Sequence, residues 1–284
     1  MSAPVSAEAA LLDAGVNERN SMGFRIGMRD DGRLAWVFAS WLTLACGGAA
    51  SEAPAEAPAG TGPEVTKAES GGGATDATVR AANAGQCPQN PLLDDMEDGN
   101  GQSVQADARG GYWYTYADEA GTEIEPRGEF SMSEAGAGGS SHAARMRGKL
   151  GQSGVIYAGM GFTLTEPKAP YDVSCCKGLK FMGKQKGDGA SAVRLKVGDA
   201  YTTPEGGVCK DCYNDFGAGL IFSNEWSEYT VSFADMKQEN GWGEPRPRID
   251  ASLVYQVQWQ VSTPGSEFDV RVDDVALFGC GDGG

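Results

Sequence analysis

From Leu253 to Cys280 the chain alternates apolar and polar positions. Tyr255, Val257, Trp259 and Val261 alternate with Gln256, Gln258 and Gln260; after a Thr263-Pro264-Gly265 turn, Phe268, Val270 and Val272 keep the same period of two. That period predicts two β-strands, each with one face toward a core. The phase breaks at Asp273-Asp274, which predicts a bulge or an ion site, and resumes with Val275 and Leu277. Further short runs predict strands over 92–97, 110–116, 142–147, 155–164, 179–182, 192–197, 219–222 and 228–233. Each is bounded by Gly, Pro, Asn or Asp, and the glycine-rich stretch 134–141 reads as a long loop. Amphipathic helical stretches and internal repeats are absent. The expected class is therefore all-β, a sandwich or barrel of short strands.

Upstream the pattern changes character. Arg29 and Arg33 precede an apolar run from Leu34 to Ala45, too short to span a bilayer as a helix, and the run ends in Leu42-Thr43-Leu44-Ala45-Cys46. This resembles a bacterial lipobox with Cys46 as the lipidated residue, although Leu42 stands one place early; the competing reading is an ordinary secretory signal with a chance cysteine. Either reading gives an exported protein, with Met28 as the expected start and 1–45 as upstream residues and signal. Residues 46–86 are rich in Ala, Gly, Pro, Glu and Thr without apolar periodicity, the composition of a flexible tether. The foldable domain is expected over 87–281.

A net charge of −16 and a pI near 4.5 argue against binding nucleic acid or an anionic membrane surface, since both demand cationic patches. Any membrane association would run through the lipid anchor. With Cys46 set aside, Cys87, Cys175, Cys176, Cys209, Cys212 and Cys280 remain, an even number in an exported chain, which points to disulfides. Cys87 and Cys280 bracket the domain, so a bond joining its ends is the favoured pairing, with Cys175 or Cys176 reaching the 209–212 loop. Zinc on these four sulfurs is disfavoured by the adjacent pair and the oxidising compartment.

Three glutamines in a row on a sheet offer paired donors and acceptors to a hydroxyl-rich ligand. Gln256, Gln258 and Gln260 are therefore placed on a binding face with Arg194 and Lys196, whose neighbours Val193, Leu195 and Val197 point inward. Tyr112, Tyr114 and Tyr116 share one face of their strand, as a sugar platform or as half-buried packing. Trp259, Trp113 and Trp226 are assigned to packing, and Trp242 to a lid over the cleft or a plug at a sandwich end. No G-x-S-x-G elbow accompanies the single histidine, His142, which is expected at a strand edge. Among 39 acids no glycosidase pair stands out.

The pieces LLDDMEDG, KGLKFMGKQKG, WSEYTVSFADM, SLVYQVQWQV and EFDVRVDDVALFG occur in that order. Together they resemble jelly-roll sandwiches of the galactose-binding-like superfamily, and among these the family 11 carbohydrate-binding modules. The resemblance implies a concave sheet that binds β-glucan and a structural calcium tying the first strand to the last. Asp95 and Glu97 match the first of those strands and Asp273 and Asp274 the second. Clustered carboxylates repel one another unless a cation is present, which supports the same reading, while acids capping strand ends in water is the plainer one. The expected function is an extracytoplasmic lipoprotein with a non-catalytic polysaccharide-binding domain. An adhesive or structural envelope protein is the alternative, and a glycoside hydrolase or its accessory module comes third.

Overall fold

The computed structural model describes residues 80–186 and 192–281; the signal, Cys46 and most of the tether lie outside the described residues. Twelve strands follow in chain order: β1 (Leu92–Asp94), β2 (Trp113–Ala117), β3 (Glu123–Glu125), β4 (Ser133–Glu134), β5 (His142–Lys149), β6 (Ala158–Thr163), β7 (Gly178–Gln185), β8 (Val193–Asp199), β9 (Phe216–Leu220), β10 (Ser227–Ser232), β11 (Val254–Val261) and β12 (Glu267–Phe278). No α-helix occurs among the described residues.

One sheet runs β10-β7-β12-β5-β3, with β1 paired to β12 and β4 to β5; the other runs β2-β6-β11-β8-β9. All strand pairs are antiparallel, and the inner faces share one core: a jelly-roll sandwich. Its centre is Trp259, which stacks on Trp113 at 5.9 Å and meets Phe181 edge-on at 5.2 Å. Both sheets therefore close on the same indole. The first and last strands lie side by side, Leu92 opposite Ala276 and Asp94 opposite Val275. β12 bulges where the sequence loses phase: its register against β7 shifts between Asp273 and Ala276, and Asp274 takes φ 50°. A non-glycine residue there is uncommon, and a bulge of this kind re-aims side chains.

Two short strands, β3 and β4, went unpredicted. β4 opens the glycine-rich stretch read as a loop, and a 3-10 turn at Ala137–Gly139 follows it. Strand β9 starts three residues before the predicted one, because glycines at 217 and 219 dilute the apolar signal while the register with β8 still pairs Phe216 with Val197.

The disulfides correct one expectation. Cys87 bonds Cys175, Cys176 bonds Cys280, and Cys209 bonds Cys212, so the ends are stapled through the adjacent pair rather than to each other. Neither Cys175 nor Cys176 reaches the 209–212 loop. The dipeptide lies just before β7, beside β12: Lys177 N donates to Phe278 O, and Gly281 N to Cys175 O. One sulfur is thus available to each end. The thiolate zinc reading is closed by the same bonds.

Beneath the β1–β12 junction, Asp94 is 1 % exposed and accepts from Trp113 Nε1 at 2.7 Å and Met96 N at 2.8 Å. Burial pushes its carboxyl up to about 6, against those hydrogen bonds. A folded-state pKa above the unfolded one contributes stability that is complete below about 3.8 and lost as pH rises through about 6. Denaturant midpoints measured from pH 4 to 7 should therefore fall more steeply for the wild type than for Asp94→Asn, which keeps the acceptor for Trp113 without a charge. Identical slopes would remove Asp94 from the pH dependence.

Candidate functional site

Alternation places Val257, Trp259 and Val261 of β11 in the core and turns Gln256, Gln258 and Gln260 to the outer face of the five-stranded sheet. Arg194 and Lys196 join them from β8, since Val193, Leu195 and Val197 are the core residues there. From β2, Tyr114 and Tyr116 come to the same face while Trp113 points inward. The sequence-selected residues do meet, but they do not form an open trough. Gln256 and Gln258 are 2 % and 6 % exposed, because the tyrosines lie across them.

Two glycines make that possible. On β6, between β2 and β11, a Cβ at Gly159 would stand 2.3 Å from Tyr116 Cζ, and one at Gly161 2.7 Å from Gln258 Cγ. The Tyr116 ring therefore lies over the bare backbone of Gly159, and Gly161 leaves room for the Gln258 side chain. Tyr114 OH donates to Gln256 Oε1 at 3.0 Å and accepts from Gln258 Nε2 at 2.8 Å. Tyr116 OH stands 3.2 Å from both Gln258 Oε1 and Gln260 Oε1. Burial pushes both phenols well above their ordinary value, so they remain protonated donors. Gly159→Val should displace Tyr116 and lower stability by about 1–3 kcal/mol in urea denaturation. An unchanged midpoint would mean that the ring does not need this bare strand.

At the β8 side the layer continues as a buried ion pair. Lys196 Nζ lies 3.4 Å from Asp215 Oδ2, with side chains 9 % and 0 % exposed, and donates to Tyr213 O at 3.2 Å and Gln260 Oε1 at 3.3 Å. Lys168 Nζ donates to Gln256 Oε1 at 2.9 Å and pairs with Glu205 at 3.0 Å. Arg194 Nη2 donates to Lys237 O at 2.5 Å, and its Nε is 3.7 Å from Glu239. Among the described residues, Gln256 Nε2 and Thr203 Oγ1 are buried without a hydrogen-bond partner, and the buried Asp215 carboxylate is held by Lys196 at 3.4 Å. Buried polar groups left open are costly and invite water or ligand hydroxyls. Lys168, Thr203 and Asp215 were missed in the sequence because they lie outside the alternating strands. Tyr112, by contrast, stays apart from the layer, 44 % exposed and bonded through its hydroxyl to Gln102.

The four acids proposed as metal ligands sit around the β1–β12 junction and the 136–141 turn. Glu97 Oε1 accepts from Ser140 Oγ, Ser141 N and His142 N, and Asp273 accepts from Ala137 N at 2.7 Å and Asp274 N at 2.8 Å. Asp273 is thus already a structural acceptor, its carboxyl pushed up to about 6 chiefly by burial. Asp274 is raised by burial and then by the charges of Asp95 and Glu97, which is the repulsion a cation relieves. The donor set fits calcium in charge and in oxygen chemistry. Among the described residues, however, the only His, Cys, Asp or Glu side chains that bring three ligand atoms within 4.8 Å of one another are Cys87, Cys175 and Cys176, so no three of these carboxylates converge that closely. Backbone carbonyls and water would have to complete a calcium shell.

A groove of about 1330 Å³ lies on the other sheet, between Arg127, Arg145, Arg147, Lys186, Glu267 and Asp269. Its charges answer one another: Arg145 holds Asp269 through two bonds of 2.8 and 2.7 Å, and Arg147 holds Glu125 at 2.6 Å.

No family model matches the chain, and no curated protein matches it. Solved structures similar to it include carbohydrate-binding modules. A family 11 module from Clostridium thermocellum, in complex with a β-1,3-1,4-mixed-linked tetrasaccharide, is 14 % identical with a TM-score of 0.49, covering 69 % of this chain and 98 % of that one. A family 30 module from a cellulosomal cellulase of the same organism is 16 % identical with a TM-score of 0.42, covering 57 % of this chain and 90 % of that one. The class defined by the two facing antiparallel sheets is the jelly-roll sandwich.

Proposed function

We propose that this domain binds a polysaccharide non-catalytically on the outer face of the five-stranded sheet, and that the glycan is of the β-glucan class implied by the sequence resemblance. The observation that carries the reading is the polar layer itself: tyrosine hydroxyls, glutamine amides, Lys196 and Asp215 gathered on one face, with Gln256 Nε2 left without a hydrogen-bond partner among the described residues. Hydroxyls that both donate and accept are the natural complement to such a set. Affinity electrophoresis in gels carrying a panel of β-glucans tests it. Retardation by one of them is the expected result, and free migration across the panel would turn the reading toward an adhesive envelope protein.

Export and lipid anchoring through Cys46 belong to the same proposal, as does calcium held by Asp95, Glu97, Asp273 and Asp274 together with backbone oxygens. The cation would supply positive charge between the strand ends. A site saturated a hundredfold above its Kd adds about 2.7 kcal/mol of stability, so a chelator should lower the melting temperature by several degrees and calcium should restore it. A melting curve indifferent to both would remove the metal from the account.

A further inference from the structure

Beside the polar layer two aromatic rings face water. Tyr213 is 55 % exposed and Trp242 is 45 % exposed, although Trp113 and Trp259 are buried to within 4 %. Neither packs against another aromatic ring among the described residues. A single exposed aromatic needs no explanation, but these two are held out by a buried device. Asn214, 3 % exposed, donates from Nδ2 to Trp242 O at 2.7 Å and Glu239 O at 2.9 Å, and accepts on Oδ1 from Glu239 N at 2.9 Å. Its own carbonyl accepts from Gln238 Nε2 at 2.9 Å. One side chain thus pins the segment carrying Trp242 to the residue that follows Tyr213.

The backbone on both sides is set to present the rings. Tyr213 takes φ 76°, a left-handed conformation that costs energy for a large side chain, and the Cys209–Cys212 bond closes the loop just before it. Trp242 stands between Gly241 at φ 94° and Gly243 at φ 69°, and a Cβ on Gly243 would come 2.9 Å from Asn214 Cβ. The Tyr213 carbonyl accepts from Lys196, which ties this rim to the amide and carboxylate layer below.

We propose that Tyr213 and Trp242 are the stacking platform for a pyranose ring, with Asn214 as the residue that positions them. This rests on the glycan-binding reading and gives it the aromatic surface that Tyr114 and Tyr116, engaged as donors to the glutamine row, do not offer. The apolar C–H face of a β-linked glucose unit covers this rim, beside the polar layer that Tyr114 and Tyr116 close over. An aromatic anchor at the centre of a binding surface carries a large share of its affinity.

The test uses the full chain and a soluble mixed-linked β-glucan. Tyr213→Ala and Trp242→Ala should each weaken binding roughly tenfold with little change in melting temperature. Val155→Ala, on an exposed loop, should leave binding unchanged. Saturating glucan should protect Trp242 from oxidation by N-bromosuccinimide, a protection read against Trp242→Phe. Asn214→Ala should lose affinity and this protection together; should that variant fail to fold, the two aromatic variants decide. Wild-type binding with both aromatic variants unimpaired overturns the platform and leaves glycan binding standing. Absence of wild-type binding overturns both.

Discussion

Lys196→Met is expected to destabilise the domain by about 3–5 kcal/mol, because it strands a buried carboxylate. Asp215 has a side chain with no exposure, and burial already raises its pKa while Lys196 opposes the rise. Without the ammonium, burial raises the carboxyl further, with less to oppose it. The sign follows from linkage: a folded pKa above the unfolded one contributes stability below the unfolded value and loses it as pH climbs through the folded value. The variant's deficit should therefore be small near pH 3.5 and grow toward pH 7. Lys196→Met with Asp215→Asn should recover much of the loss, and a double-mutant cycle in urea measures the coupling. A single-variant deficit under 1 kcal/mol, flat with pH, would show that Asp215 is already neutral or hydrated in the wild type.

The face that holds this pair was readable from a period of two. Val257, Trp259 and Val261 went inward, and the glutamines, Arg194 and Lys196 came out on one side together. What the alternation did not carry is what lies above them. The roof formed by Tyr114 and Tyr116 depends on β2 pairing with β6, two strands separated by β3 to β5, and on glycines at 159 and 161 that look like turn residues in a linear reading. Hence an amide row that reads as a trough is half of a closed hydrogen-bonded layer. Asp215, Thr203 and Lys168 were invisible for a related reason: each comes from a connection, Thr203 and Asp215 from the one after β8 and Lys168 from the one after β6, and only the fold of those connections brings them to the sheet.

The strand ends teach the converse lesson. The loss of phase at Asp273-Asp274 announced a bulge, and the structure has one, since an extra residue in a period-two pattern must be absorbed locally. The glycine-rich stretch after β4 gave no such sign, yet its turn supplies the Ala137 N–H that holds Asp273. Backbone donors of this kind have no sequence signature, and which carboxylates they occupy decides which remain for a cation.

The three disulfides should differ sharply in their effect on stability, and the difference follows from how much chain each closes. Cys87–Cys175 spans 88 residues and Cys176–Cys280 spans 104, whereas Cys209–Cys212 spans 3. Restricting the unfolded chain contributes about 4–5 kcal/mol for loops near 90–100 residues and only about 1–2 kcal/mol for the smallest. Replacing either long-range pair with serines should therefore lower the unfolding free energy by several kcal/mol, and the Cys209→Ser, Cys212→Ser variant by far less. Because Cys175 and Cys176 are adjacent, removing one bond leaves a free partner beside the other, so each pair must be replaced together for the comparison to hold. The short bond instead shapes the loop that presents Tyr213, and its loss should appear in glucan affinity with the melting temperature nearly kept. Equal melting losses for all three would mean that the 209–212 loop is part of the global fold, and its local role would then have to be abandoned.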